Sequence, residues 1–150
     1  MKFSRTITKQ LTLILLLSLP LLAQTKTLPC KVFTVADGDT ITVLDSGYRQ
    51  HRIRLNGIDA PESRQDFGAK AKQHLSRLVF GEQGTVEYDK TDRYGRILGK
   101  VLLGDRYINR EMLRAGLDWH YKFYERDQTP QDRQGYNLEE ARARKLQFGL

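Results

Sequence analysis

Five charged residues in three short motifs of this chain have the types that one chemistry needs: Asp39 in DGDT, Arg54, Asp59 and Glu62 in RLNGIDAPE, and Arg96 in TDRYGR. Three carboxylates can hold a hard cation and handle a water, and two guanidiniums can clamp a phosphate whose negative charge grows during attack. Together these are the parts of a metal-assisted phosphodiesterase. Singly, each motif has a plainer reading. Asp-Gly between apolar runs is what a hairpin turn needs, IDAPE can be a solvated acidic turn, and TDRYGR can be a basic hairpin tip in water. An EF-hand loop is excluded for DGDT, because Ile41 stands where a third oxygen donor would be needed and no glycine follows. Pro61 stiffens the link from Asp59 to Glu62, so those two acids can share a site. Arg96 suits phosphate through paired donors that an ammonium cannot reproduce, and Gly95 before it permits a tight connection.

The elements that must position these groups can be read from hydrophobic period. Val32, Phe33 and Val35 form a first β-rich run, and Ile41, Val43 and Leu44 follow the turn at Asp37-Gly38. Ile53 and Leu55 alternate with Arg52, Arg54 and Asn56, which puts Arg54 on the face away from the core. Residues 68–80 change to a helical period, with Ala71, Leu75, Leu78 and Val79 on one stripe and Gly81 as the stop. Two more β runs, Thr85 to Tyr88 and Ile97 to Leu103, flank the TDRYGR connection. A short helix around Ile108, Met112 and Ala115 ends at Gly116, and an irregular aromatic stretch leads to a last helix over about 131–146. That helix carries Glu139 with Arg142 and Glu140 with Arg144 as expected surface pairs. Five β runs and three helices predict an α+β domain, a five-stranded oligonucleotide-binding (OB-fold) barrel packed by helices.

At 150 residues the chain has room for one domain with a real core. Residues 1–23 stand apart from it. Lys2, Arg5 and Lys9 make a basic start, Leu11 to Leu22 an apolar run interrupted by Pro20, and Ala23 a plausible cleavage position. That order describes a signal peptide, and the run is shorter than the roughly 20 apolar residues that span a bilayer. The expectation is a domain over 24–150, exported to the periplasm or the medium, monomeric and not held at a membrane after cleavage. Without residues 1–23 the 25 basic residues become 22, against 18 acidic, a balance of +4 that suits a polyanionic partner without identifying one. Cys30 is the only cysteine, so no internal disulfide forms and stability rests on packing; it reads as a strand-start residue without a chemical role.

Read jointly, DGDT, the arginine followed by Asp-x-Pro-Glu, and Thr-Asp-x-Tyr-Gly-Arg resemble the signatures of the staphylococcal (micrococcal) thermonuclease family in order and approximate spacing, and YINREMLRAGL is similar to that family's second helix. The resemblance covers Cys30 to Leu150. It implies an OB-fold barrel with three helices that cleaves DNA and RNA with calcium. By similarity, Asp39 and Asp59 would ligate Ca²⁺ with the main-chain carbonyl of Ala60, and Glu62 would orient or deprotonate the attacking water. Arg54 and Arg96 would bind the phosphate, and departure of the 5′ oxygen would leave 3′-phosphate ends. Arg93, Tyr94 and Tyr124 are candidates for nucleic-acid contact. The sequence departs from the family's best-known member in Ala60 for threonine, a shorter segment between Glu62 and Gly68, a shifted aromatic pattern over Tyr121 to Tyr124, and an early end at Phe148-Gly149-Leu150.

Two other readings compete. One is an OB-fold module that holds single strands without cutting them, which has no need of the acid and both arginines beside a metal pair. The other is a zinc or nucleophilic hydrolase, for which His51, His74 and His120 lack paired ligand spacing and Cys30 and the serines lack a nucleophile motif. Convergence of the five charged residues on one shallow pocket would separate hydrolysis from binding alone.

Overall fold

In chain order the elements are β1 (Lys26–Val35), β2 (Thr40–Leu44), β3 (Gln50–Leu55), β4 (Ile58–Asp59), α1 (Gly68–Val79), β5 (Gln83–Thr91), β6 (Ile97–Leu103), β7 (Arg106–Tyr107), α2 (Ile108–Arg114), β8 (Trp119–His120), a 3-10 segment (Lys122–Asp127) and α3 (Pro130–Lys145). The computed structural model describes residues 25–149, so the expected signal peptide lies outside the described residues. β1 is long because two partners share it: its second half pairs antiparallel with β2 and its first half with β5. Strands run β3-β2-β1-β5-β6, and a parallel pairing of β3 with β6 closes them into a five-stranded barrel. With its three helices this is the α+β OB-fold plan expected from the sequence. Cys30 sits mid-strand rather than at the strand start, since pairing with β5 begins at Lys26.

The core follows from alternation. Ile41 and Val43 of β2, Ile53 and Leu55 of β3, Val86 of β5 and Val101 of β6 point inward and are buried, and α1 adds Ala71, Leu75 and Val79 from one face. Helix α2 contributes Ile108, Met112 and Leu113. Between them, Asn109 is fully buried and fully used: its amide donates to the carbonyls of Asn56 and Gly99, and its oxygen accepts from Val101 N–H. The helix is thereby fastened to β6 and to the end of β3. Gly116 ends α2 at φ 67, and the carbonyl oxygen of Phe148 lies 2.0 Å from where its Cβ would be, so both backbone angle and space require glycine.

Helix α3 starts at Thr129, whose hydroxyl accepts from Asp132 N–H, with Pro130 in the first turn. One expected surface pair is present, Glu140 with Arg144 at 3.6 Å. Glu139 corrects the other. It faces inward and bonds Arg110 and Arg114 of α2 instead of Arg142. Nor is the stretch after Gly116 simply irregular: β8 pairs with β4, and the 3-10 segment carries Phe123 and Tyr124.

Candidate active site

The pairing register brings the charged residues to one end of the barrel. Thr40 is the partner of Arg54, so Asp39 enters β2 beside the arginine; Ile53 and Arg54 pair in parallel with Ile97 and Leu98, so Arg96 enters β6 beside it too. Asp59 closes β4, held by its pairing with Trp119. Between β1 and β2, Asp39 N–H bonds the side chain of Asp37, and Gly38 allows the turn to pack down: a Cβ there would lie 2.7 Å from those of Ala60 and Ala71. Asp37, Asp39, Arg54, Asp59, Ala60, Glu62 and Arg96 line one cavity of about 190 Å³. The sequence-predicted carboxylates and arginines are therefore brought together.

Arg54 lies between two of the acids. Its Nη1 is 2.5 Å from Asp39 Oδ2 and donates to the Ile58 carbonyl at 2.9 Å, and its Nη2 donates to Asp59 Oδ1 at 2.7 Å. Asp39 also accepts from Ala60 N–H and Thr40 Oγ1, which ties the first turn to the segment that carries Asp59 and Glu62. Burial pushes the Asp39 carboxyl up to about 6 even though Arg54 and the Ala60 N–H pull it down. Glu62 is exposed at the rim and forms no ion pair among the described residues; its N–H bonds Gln65 Oε1, and its carbonyl accepts from Gln65 N–H. The short segment after Glu62 is folded back on itself. A Cβ on Gly68 would lie 2.1 Å from the Glu62 carbonyl oxygen.

Arg96 is oriented by Asp92, which accepts from its Nε at 2.7 Å, from its main-chain N–H and from that of Tyr94. Burial raises the Asp92 carboxyl, but those three donors outweigh it and hold it below the usual range. Neither Nη of Arg96 bonds a protein acceptor among the described residues, which leaves that edge for a ligand. A second cleft of about 540 Å³ opens from Arg54, Asp59 and Arg96 and is lined by Arg93, Tyr94 and Tyr124, with Lys90, Tyr121 and Asp127. Tyr94 is 65% exposed, and the guanidiniums of Arg93 and Arg96 lie 4.8 and 5.5 Å from its ring centre. Tyr124 meets Tyr121 and Phe123 edge-on at 5.5 and 4.9 Å.

Two carboxylates, a carbonyl on the same segment and a further acid at Asp37 are oxygen donors of the kind a calcium ion takes. Among the described residues, no group of three or more Asp, Glu, His or Cys is gathered into a ready cage. The sequence reading missed Asp37 as a lining residue, Asp92 as the partner of Arg96, and Asp118. The last lies just before β8, is buried, and has no hydrogen-bond partner for either oxygen among the described residues. An aspartate between Leu117 and Trp119 was its only trace in the sequence.

The staphylococcal nuclease homologue family model matches residues 52–150. The chain belongs to the staphylococcal nuclease family. It is 41% identical over 130 residues to a micrococcal nuclease of Shigella flexneri, covering 80% of this chain and 71% of that one. To an uncharacterized endonuclease of Escherichia coli it is 48% identical over 98 residues, 65% of this chain and 63% of the relative. A probable staphylococcal-like nuclease of Oryza sativa subsp. japonica is 36% identical over 121 residues, 72% and 36% of the two chains. The chain thus spans less than two thirds of the length of the E. coli and rice relatives. The five charged residues fall on the motif positions by which the staphylococcal nuclease resemblance was drawn.

Proposed function

We propose that this staphylococcal nuclease family member is an exported, calcium-dependent endonuclease that hydrolyses phosphodiester bonds of DNA and RNA. The observation that carries the reading is the convergence of Asp39, Arg54, Asp59, Glu62 and Arg96 on one cavity that opens into an aromatic and basic cleft. The nuclease names of its relatives support the same chemistry. Export to the periplasm or medium, as a monomer without lasting membrane association, is supported by the basic, apolar, small order of residues 1–23.

Asp39, Asp59 and the Ala60 carbonyl would hold the calcium ion, which when bound supplies polarisation of a phosphate oxygen and offsets charge. Glu62 takes a proton from the water that attacks phosphorus. Arg96, fixed by Asp92 through one edge, presents its other edge to the phosphate, and Arg54 faces the same cavity with its charge; both stabilise the more negative transition state. The bond from phosphorus to the 5′ oxygen breaks, that oxygen takes a proton from solvent water and leaves as a hydroxyl, and the other product ends in a 3′-phosphate. Tyr94 and Tyr124 stack flanking bases while Arg93 meets the backbone.

A non-catalytic OB-fold module would need the cleft and not the cavity beside it. Digestion of DNA and RNA by the purified protein separates the two, first with calcium and then with a chelator. The expected result is cleavage of both polymers that the chelator stops; binding without metal-dependent cleavage of either would leave the module reading standing.

A further inference from the structure

Asp118 is a buried carboxyl behind the cavity that the proposed chemistry does not use. It is 3% exposed, and neither of its oxygens has a hydrogen-bond partner among the described residues. Its Oδ1 reaches under the Asp37-Gly38-Asp39 turn, 3.5 Å from where a Cβ on Gly38 would stand, in a small space that Ala60 and Ala71 also border. Its chain neighbour Trp119 pairs with Asp59, so the same two-stranded ladder places both acids. A buried carboxyl without a partner is costly, and native proteins rarely retain one unless something offsets it. Arg54, whose charge Asp118 feels, is not free to do so: both ends of its fork are engaged by Asp39, Asp59 and the Ile58 carbonyl. Two of the neighbouring carboxyls, those of Asp39 and Asp59, therefore already share this guanidinium.

We propose that Asp118 is a positioning residue of the cation site, a further carboxyl beneath the turn that strengthens the hold of Asp39 and Asp59 on a divalent, oxygen-seeking cation. The proposal rests on the calcium reading above. Its physical content is that the fold accepts a defect without the cation in return for tighter binding with it. Burial and the surrounding acids also hold the Asp118 carboxyl well above the usual aspartate range, with Arg54 opposing them, as an uncompensated acid among acids should be.

The test is a calcium titration of the metal-free full chain by calorimetry, alongside melting in chelator and in saturating calcium, for wild type, Asp118→Asn, Asp118→Ala and Asp39→Asn. Both Asp118 variants should bind calcium at least tenfold more weakly. They should melt higher than wild type in chelator and gain less on adding calcium. A merely structural residue would move the chelator melt but leave the affinity alone. Calcium affinity within twofold of wild type in a folded Asp118 variant, with binding lost in Asp39→Asn, overturns this inference and leaves the calcium site intact. No calcium binding by the wild-type chain overturns the calcium site and the role of Asp118 together.

Discussion

Arginines and carboxylates form two clusters in this molecule, and the two differ in how completely they are paired. Between α2 and α3, Glu139 is buried and accepts one bond from Arg110 at 3.0 Å and two from Arg114 at 2.9 and 2.7 Å. At the mouth of the barrel, among the described residues, Arg54 is shared between two acids, Glu62 has no ion pair, Arg96 is held by one edge only, and Asp118 has no hydrogen-bond partner. The first cluster, with both carboxylate oxygens engaged and the buried Arg110 Nε left without a partner among the described residues, has no free acid to offer a ligand and serves as a clamp between helices. An unsaturated one, placed on strand ends where the barrel fixes its geometry, can be completed by substrate and cation. Residue type alone does not distinguish a structural pair from a site; the leftover bonding capacity does.

The largest effects should come from the unsaturated cluster, and on rate rather than stability. Glu62→Gln removes the proposed proton acceptor and should lower turnover on DNA by about 10²- to 10⁴-fold. Arg96→Ala should cost about 10²- to 10³-fold by removing donors aimed at the developing charge. Both variants should melt within a few degrees of wild type, because neither side chain is in the core. Near-wild-type turnover in either would show that leftover capacity does not mark function here.

Glu139→Ala should reverse the pattern. Breaking a buried ion pair costs roughly 3–5 kcal/mol, and since both arginines are partly exposed, a loss of about 2 kcal/mol is expected here. Turnover per folded molecule should be unchanged. The hydrogen bonds from Arg114 hold the Glu139 carboxyl below its ordinary value against the opposing effect of burial, with Arg110 adding to them. A depressed acid contributes stability above its unfolded pKa, about 4.3, and loses it as pH falls through the lower folded value. The gap between wild type and Glu139→Ala in urea melts should therefore be full at pH 7 and shrink below about pH 4. A gap that widens in acid would contradict the clamp.

The sequence disclosed the two clusters unequally, and the reasons are physical. Arg54 was legible because a period of two around Ile53 and Leu55 fixes which face a side chain takes. Helix α1 was legible through its apolar stripe, and its observed end at Val79 is one residue from the expected one. Glu139 was misread because the buried stripe of α3, Gly135, Tyr136, Glu139 and Ala143, contains little that is apolar, so a polar inward face looked like surface. β4, β7 and β8 have two residues each, too few for any period to show, yet β4 and β8 are what hold Asp59 in place. Asp118 depends on a contact with Gly38, eighty positions earlier in the chain, which no local pattern encodes.

The cleft beside the cavity offers the smallest and most discriminating effects, because Tyr94 and Tyr124 line it together but are held differently. Stacking on a base is worth about 1–3 kcal/mol by alanine substitution, and at these exposed positions the low end applies, so each variant should weaken KM about fivefold. Tyr124 meets the rings of Tyr121 and Phe123 and stacks on no arginine among the described residues, and Tyr124→Ala should leave kcat as it was. Tyr94 also lies under the guanidinium of Arg96, so losing its ring removes one of the two restraints on that arginine and leaves only Asp92. Tyr94→Ala should then lower kcat a few-fold as well as raising KM. Equal kcat in the two variants, measured on a single-stranded oligonucleotide, would mean that Asp92 alone sets the orientation of Arg96, and the boundary between binding cleft and reacting cavity would fall between Tyr94 and Arg96.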